Sequence, residues 1–150
     1  MSFDLQTFLP YLLNRAAEAS SLEFQRLYKA RYGMLRTEWR VLFHLGRYGP
    51  LTATEICGRA GLHKTKVSRA ASALEAKRFL IRTQQSDDRR QARLSLTKRG
   101  QVVYGDLATE ARAFEAELVK DLPAETVAIL RESLIQIAGA QPKGRAGTDP

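Results

Sequence analysis

The sequence predicts a mainly α-helical protein carrying one small β-hairpin. Three observations lead there. Apolar residues recur at three- and four-residue steps along three long stretches, 4–31, 98–121 and 124–138. Two short helical segments, 53–60 and 64–78, flank a tight turn at Gly61. Two short strand-like runs, 80–83 and 92–96, flank the polar stretch 84–91.

The elements follow in order. In 4–31, Leu5, Phe8, Leu9, Leu12, Leu13, Ala16 and Ala19 set a helical stripe that Phe24, Leu27 and Tyr28 continue. Pro10 is a fault that kinks or resets the start of this helix, and Gly33 ends it. Thr37 offers an N-cap to a helix over 37–47, with Glu38 favourable in its first turn. Trp39, Val41, Leu42, Phe43 and Leu45 make that helix apolar on several sides, which predicts burial. Thr52 and Glu55 form the S/T-x-x-E capping box of the 53–60 helix.

In 64–78, Val67, Ala70, Ala71 and Leu74 face inward, leaving Lys64, Thr65, Lys66, Ser68, Arg69 and Ser72 outward. In 92–96, Ala92, Leu94 and Leu96 alternate with polar residues. Thr97 caps the 98–121 helix, and Pro123 opens the last one. A helix-turn-helix followed by a hairpin is a winged helix-turn-helix domain. The expected organisation is one domain over 1–150. Helices in 1–34 and 98–138 flank a winged segment over 35–97, and 139–150 is a flexible tail.

Composition narrows the function. The chain has 150 residues, is 44 % hydrophobic and carries a net charge of +8. That supports a real core and argues against wholesale disorder. No apolar run approaches the roughly 20 residues of a membrane span. The opening MSFDLQTFLPYLLNR lacks a basic leader and a small-residue cleavage site, so a cytoplasmic protein is expected. The charge is concentrated. Residues 59–99 hold twelve Lys/Arg against Glu75, Asp87 and Asp88, a net of +9, so the remainder carries −1. A polyanion is the natural partner of such a segment, and the helix-turn-helix within it makes double-stranded DNA the expected one.

No phosphate-binding glycine loop, metal cluster or nucleophile–base–orienter set is present. No enzyme activity, catalytic residue, cofactor or metal is therefore expected. The two histidines, His44 and His63, lie apart, and positions 108 and 112 are Ala108 and Arg112 rather than a paired ligand set. The single cysteine, Cys57, is expected to be a small buried residue, with a redox-responsive regulator as the alternative.

Three stretches carry a resemblance. They are TEWRVLFHL at 37–45, LTATEICGRAGLHKTKVSRAASALEAKRFLIR at 51–82 and DDRRQARLSLTKRG at 87–100. In order and spacing they resemble the multiple antibiotic resistance regulator (MarR) family of bacterial transcription factors. The D-R-R run followed by L-x-LT-x-x-G is the most specific piece.

The resemblance implies a homodimer in which the N- and C-terminal helices of two chains interlock. The composition agrees, since helices 4–31, 98–121 and 124–138 carry more apolar surface than the 50–100 segment alone could cover. It implies a regulator, by family default a repressor, that binds a pseudo-palindromic operator and is released by a small aromatic or phenolic ligand. Half-sites are expected one helical turn apart, roughly 10 bp.

Lys64, Thr65, Lys66, Ser68, Arg69 and Ser72 would face the major groove, with Arg69 suited to guanine O6/N7. His63, Lys64 and Thr65 stand at a helix start, where backbone N–H groups also favour phosphate. Arg89 or Arg90 would enter the minor groove, where A·T-rich sequence concentrates negative potential. By resemblance, Asp88 orients the wing arginine. Effector contacts are expected from Phe24, Tyr28, Tyr32, Trp39 and Phe43, with Arg40 and His44 holding a carboxylate or phenolate. The competing reading is an architectural protein that binds DNA through charge and shape alone.

Overall fold

The computed structural model describes residues 2–84 and 92–139. Its contacts divide the chain into two compact units, 1–109 and 110–150.

The first unit opens with a single 3₁₀ turn at Leu5–Thr7, where Asp4 Oδ1 accepts from the Gln6 amide at 2.9 Å. Helix α1 then runs Leu9–Tyr32. The stretch expected as one helix from residue 4 is thus broken, and Pro10 is the reason. It sits in the first turn of α1, where its missing N–H costs no helical hydrogen bond. Gly33 ends α1 in the left-handed conformation, φ 65°.

Helix α2 spans Arg36–Tyr48. Thr37 is not its cap. The Glu38 carboxylate reaches back to accept from the Leu35 amide at 3.1 Å. The short strand β1, Leu51–Thr52, was not foreseen. Helix α3, Ala53–Ala60, is capped by Thr52, whose Oγ1 accepts from Glu55 N at 3.2 Å. It ends at Gly61, again left-handed. Helix α4 covers Lys64–Ala76.

Strands β2, Leu80–Gln84, and β3, Ala92–Leu96, are antiparallel, with Leu80 opposite Leu96 and Gln84 opposite Ala92. β3 is the central strand, flanked by β1 on its other side. Of the alternating residues expected inward on β3, only Leu94 is fully buried; Ala92 and Leu96, at the strand ends, are half-buried.

Helix α5, Lys98–Leu118, crosses from the first unit into the second. Thr97 caps it as expected, its Oγ1 accepting from Gly100 N at 3.0 Å. The core of the first unit draws on every helix there: Tyr28, Leu42, Ile56, Leu74 and Leu107 are essentially sealed from solvent. The second unit holds the end of α5 and helix α6, Ala124–Gly139. Within it Arg131 donates to Glu115 at 3.1 Å. No residue of α6 is buried. Among the described residues, no helix is long and apolar enough to cross a membrane.

Candidate nucleic-acid interface

Helix α4 is built to present one face. His63 stands at its N-cap and its Nδ1 accepts from the Thr65 amide at 3.2 Å. Val67, Ala70, Ala71 and Leu74 bury the inner face, as their spacing predicts. Lys64, Thr65, Lys66, Ser68, Arg69 and Ser72 are all exposed on the outer side. Among the described residues no carboxylate pairs with Lys64, Lys66 or Arg69. Cations beyond the outer face do have partners: Lys77 lies 3.3 Å from Glu38 and Arg82 lies 3.5 Å from Glu75.

Three long-range contacts fix where that face points. Glu38 on α2 is 4 % exposed and holds both the Leu35 amide and the Lys77 ammonium, tying the start of α2 to the end of α4. A polar group taken out of water is costly unless hydrogen-bonded, and both partners serve that need. Arg40 donates from Nη2 to the Ala60 carbonyl at 2.5 Å, which satisfies an orphan acceptor at the end of α3. Burial, helped by the neighbouring Arg36 charge, pushes the Arg40 guanidinium below its ordinary value.

The third contact lies where α4 meets the sheet. Helix α4 stops at Ala76, two residues short of expectation, because Arg78 adopts a left-handed φ of 64°. That turn lets Phe79 N donate back to Leu74 O at 2.9 Å, a helix stop that normally recruits glycine. Thr97 Oγ1 then donates to the Arg78 carbonyl at 2.7 Å. Gly100 comes so close that an added Cβ would lie 2.0 Å from the Phe79 carbonyl oxygen. The L-x-LT-x-x-G run therefore welds the end of α4 to the start of α5.

Arg89, Arg90 and Asp88, expected at the wing tip, lie outside the described residues. On the described part of the hairpin, Arg93 donates to the Pro50 carbonyl at 3.4 Å.

The residues expected to bind an effector do not converge as a single set. Phe24, Tyr28, Trp39 and Phe43 form one aromatic cluster: Tyr28 stacks on Trp39 at 5.8 Å and Trp39 meets Phe43 at 4.9 Å. Tyr104 of α5 joins it, 5.1 Å from Phe43. Its ring occupies the space that a side chain at Gly46 would fill. Tyr104 was not foreseen, since nothing local in α5 marks it. Burial raises the Tyr28 phenol above its usual value, and Arg36 partly opposes this.

Tyr32 lies elsewhere. Its ring packs on Phe79 and its hydroxyl donates to Asp106 Oδ2 at 2.5 Å, beside an Arg31–Asp106 hydrogen bond of 2.8 Å. Arg40 is committed to Ala60, and His44 Nδ1 bonds the Arg40 carbonyl at 2.6 Å. The indole Nε1 of Trp39 is buried without a hydrogen-bond partner. Cys57, expected buried, is half-exposed, because Ile56 beside it takes the inward position on α3.

A family model described as MarR family matches residues 32–91. In Bacillus subtilis (strain 168), the uncharacterised HTH-type transcriptional regulator YwoH is 30 % identical over 90 residues, covering 60 % of this chain and 65 % of that protein. The HTH-type transcriptional repressor MdtR of the same organism is 30 % identical over 95 residues, covering 63 % and 61 %. The matched stretch thus spans less than two thirds of either relative. The solved structure of the PcaV transcriptional regulator from Streptomyces coelicolor, in complex with its natural ligand, superposes with a TM-score of 0.80. It is 22 % identical and covers 95 % of this chain and 99 % of that one.

Proposed function

We propose that this chain is a MarR-family protein, on the match of that family's model to residues 32–91, and that it is a sequence-specific DNA-binding regulator working as a homodimer. The observation that carries the reading is the outer face of α4. Three exposed cations, Lys64, Lys66 and Arg69, stand there without a carboxylate among the described residues, interleaved with the hydroxyls of Thr65, Ser68 and Ser72. Cations supply the salt-dependent attraction to phosphate, and short hydroxyls with an arginine suit base edges. The sequence adds Arg89 and Arg90 for the minor groove, with Asp88 orienting the wing. Two copies on a two-fold axis would read two half-sites roughly 10 bp apart. The apolar side chains that α6 exposes supply surface for such pairing. Repression, as in the name of MdtR, is the expected mode.

Selection of bound fragments from the source genome tests this. One recurrent palindrome, protected as a single footprint, supports the reading. Diffuse protection of every duplex offered would replace it with an architectural role.

A small-molecule trigger forms the second part of the proposal. The aromatic cluster is rich in ring surface, and its one buried indole N–H lacks an acceptor. An unmet buried donor costs about 1–3 kcal/mol, which a ligand offering an acceptor would recover. An aromatic acid or phenol meets both needs, and PcaV is a structural relative that holds its natural ligand. Trp39 is the only tryptophan, so its fluorescence reports on the cluster directly. Titration with simple aromatic carboxylates and phenols should quench Trp39 and release DNA over the same concentration range. Release without any change at Trp39 would move the effector site away from this cluster.

A further inference from the structure

Among the described residues, Arg82 is where the hairpin meets the outer side of α4. Arg82 of β2 donates from Nη2 to Ser72 Oγ at 3.0 Å, and its Nε lies 3.5 Å from Glu75 Oε2. Ser72 and Glu75 are three positions apart on α4, so one guanidinium bridges both. All three residues are solvent-accessible: Ser72 is exposed, and the Arg82 and Glu75 side chains are 35 % and 46 % exposed. A surface pair of this kind contributes little to stability, about 0–1 kcal/mol. Its chemistry points to another use.

We infer that Arg82 is a positioning residue for base reading: it fixes Ser72 as a hydrogen-bond donor toward DNA, while Glu75 keeps Arg82 itself off the phosphates. This rests on the DNA-binding reading above. The argument is one of donor and acceptor inventory. A serine hydroxyl has one proton to give and two lone pairs. With a guanidinium occupying a lone pair, the hydroxyl is polarised and becomes a stronger donor. Ser72 then favours acceptors, such as purine N7, guanine O6 or thymine O4, over the amino groups of adenine and cytosine. The guanidinium is planar and forked, so it holds the hydroxyl and the carboxylate together in a fixed geometry. Glu75 adds a negative charge beside Arg82, which lowers the attraction of that arginine to the duplex. The hairpin strand and the reading helix are thereby coupled through their solvent-facing side chains as well as through the core.

The test uses the full chain as wild type, Arg82→Gln, Ser72→Ala, the double variant and Glu75→Gln. Each is titrated against the duplex selected by the wild type and against a scrambled duplex of equal length, over a salt series. Arg82→Gln and Ser72→Ala should each lower the selected-to-scrambled affinity ratio about tenfold. The double variant should fall no further than the worse single one. Arg82→Gln should leave the salt slope of the selected duplex unchanged, a readout that a phosphate contact would move. Glu75→Gln should raise affinity for the scrambled duplex and steepen its salt slope by about one, as the freed Arg82 reaches a phosphate. Additive losses in the double variant, an Arg82→Gln slope flatter by about one, or an unchanged Glu75→Gln slope each overturn the inference. A wild type that discriminates while Arg82→Gln discriminates equally well overturns this inference alone. A wild type with no preference removes the DNA-reading proposal, and this inference with it.

Discussion

Helices α4 and α6 are both surface helices, of 13 and 16 residues, and they solve opposite problems. α4 buries Val67, Ala70, Ala71 and Leu74 beneath a charged outer face. α6 buries nothing, and it exposes Ile129, Leu130, Leu134, Ile135 and Ile137 to solvent. The first helix is anchored by its own unit and offers charge. The second carries apolar surface that its own unit leaves uncovered. Charge on a rigid base suits a polyanion, because the cations are held in register before the partner arrives. Uncovered apolar surface suits a like surface, because water is expelled from both sides at once. The proposed dimer on DNA uses each helix for what it displays.

The comparison breaks most sharply at the anchor of α4. Gly100→Ala would drive a Cβ to 2.0 Å from the Phe79 carbonyl oxygen, a backbone atom with little room to yield. The expected cost is about 3 kcal/mol, with lowered thermal stability and weakened DNA binding together. An unchanged melting curve would show that the end of α4 is not welded as described.

The two apolar faces can be set against each other directly. Leu74→Ala empties a fully buried site on α4 and should cost about 3 kcal/mol. Leu134→Ala removes a side chain that is 40 % exposed on α6. It should weaken self-association about tenfold, seen by sedimentation, while circular dichroism shows the helices intact. Equal losses of folding from both would mean that α6 is already covered within the chain.

Next in size is the charged face itself. Lys66→Ala should weaken binding to all duplexes and flatten the log–log salt dependence by about one. Arg69→Ala should instead relax sequence preference. If the two variants behave identically, α4 positions the protein without reading bases.

The smallest effect lies at the Arg31–Tyr32–Asp106 junction between α1 and α5. The Tyr32 hydroxyl first, and then the Arg31 guanidinium, hold the Asp106 carboxyl below its ordinary value; partial burial opposes them. A carboxylate depressed in the folded state stabilises above its unfolded pKa, near 3.9. That contribution is lost as pH falls through the lower folded value. Stability measured from pH 6 to 2 should therefore decline less in Asp106→Asn than in the wild type over the acid limb. Parallel curves would show that the junction does not titrate with folding.

Much of the first unit was legible along the chain. The Thr52 cap of α3, the Gly61 turn, the two faces of α4 and the Thr97 cap all depend on partners a few residues away. Helical and strand periods encode such features directly. The site was less legible. The outward face of α4 could be read from spacing, but its bridge to Arg82 could not. Arg40 and His44 lie four apart on α2 and resemble an anion clamp in sequence. In the folded protein one caps α3 and the other bonds its own helix.

What the sequence by itself determined is the order of the helices and of the hairpin, the concentration of positive charge in residues 59–99, and which face of α4 points inward. Tertiary structure alone decided the pairings. It placed Glu38 between Leu35 and Lys77, twisted Arg78 into a glycine-like conformation, gathered Tyr104 into the aromatic cluster and left the Trp39 indole without an acceptor. The physical reason is range. Propensity, capping and amphipathic period act within about one or two helical turns, whereas a buried polar group or ring is satisfied by whatever the packed chain brings beside it.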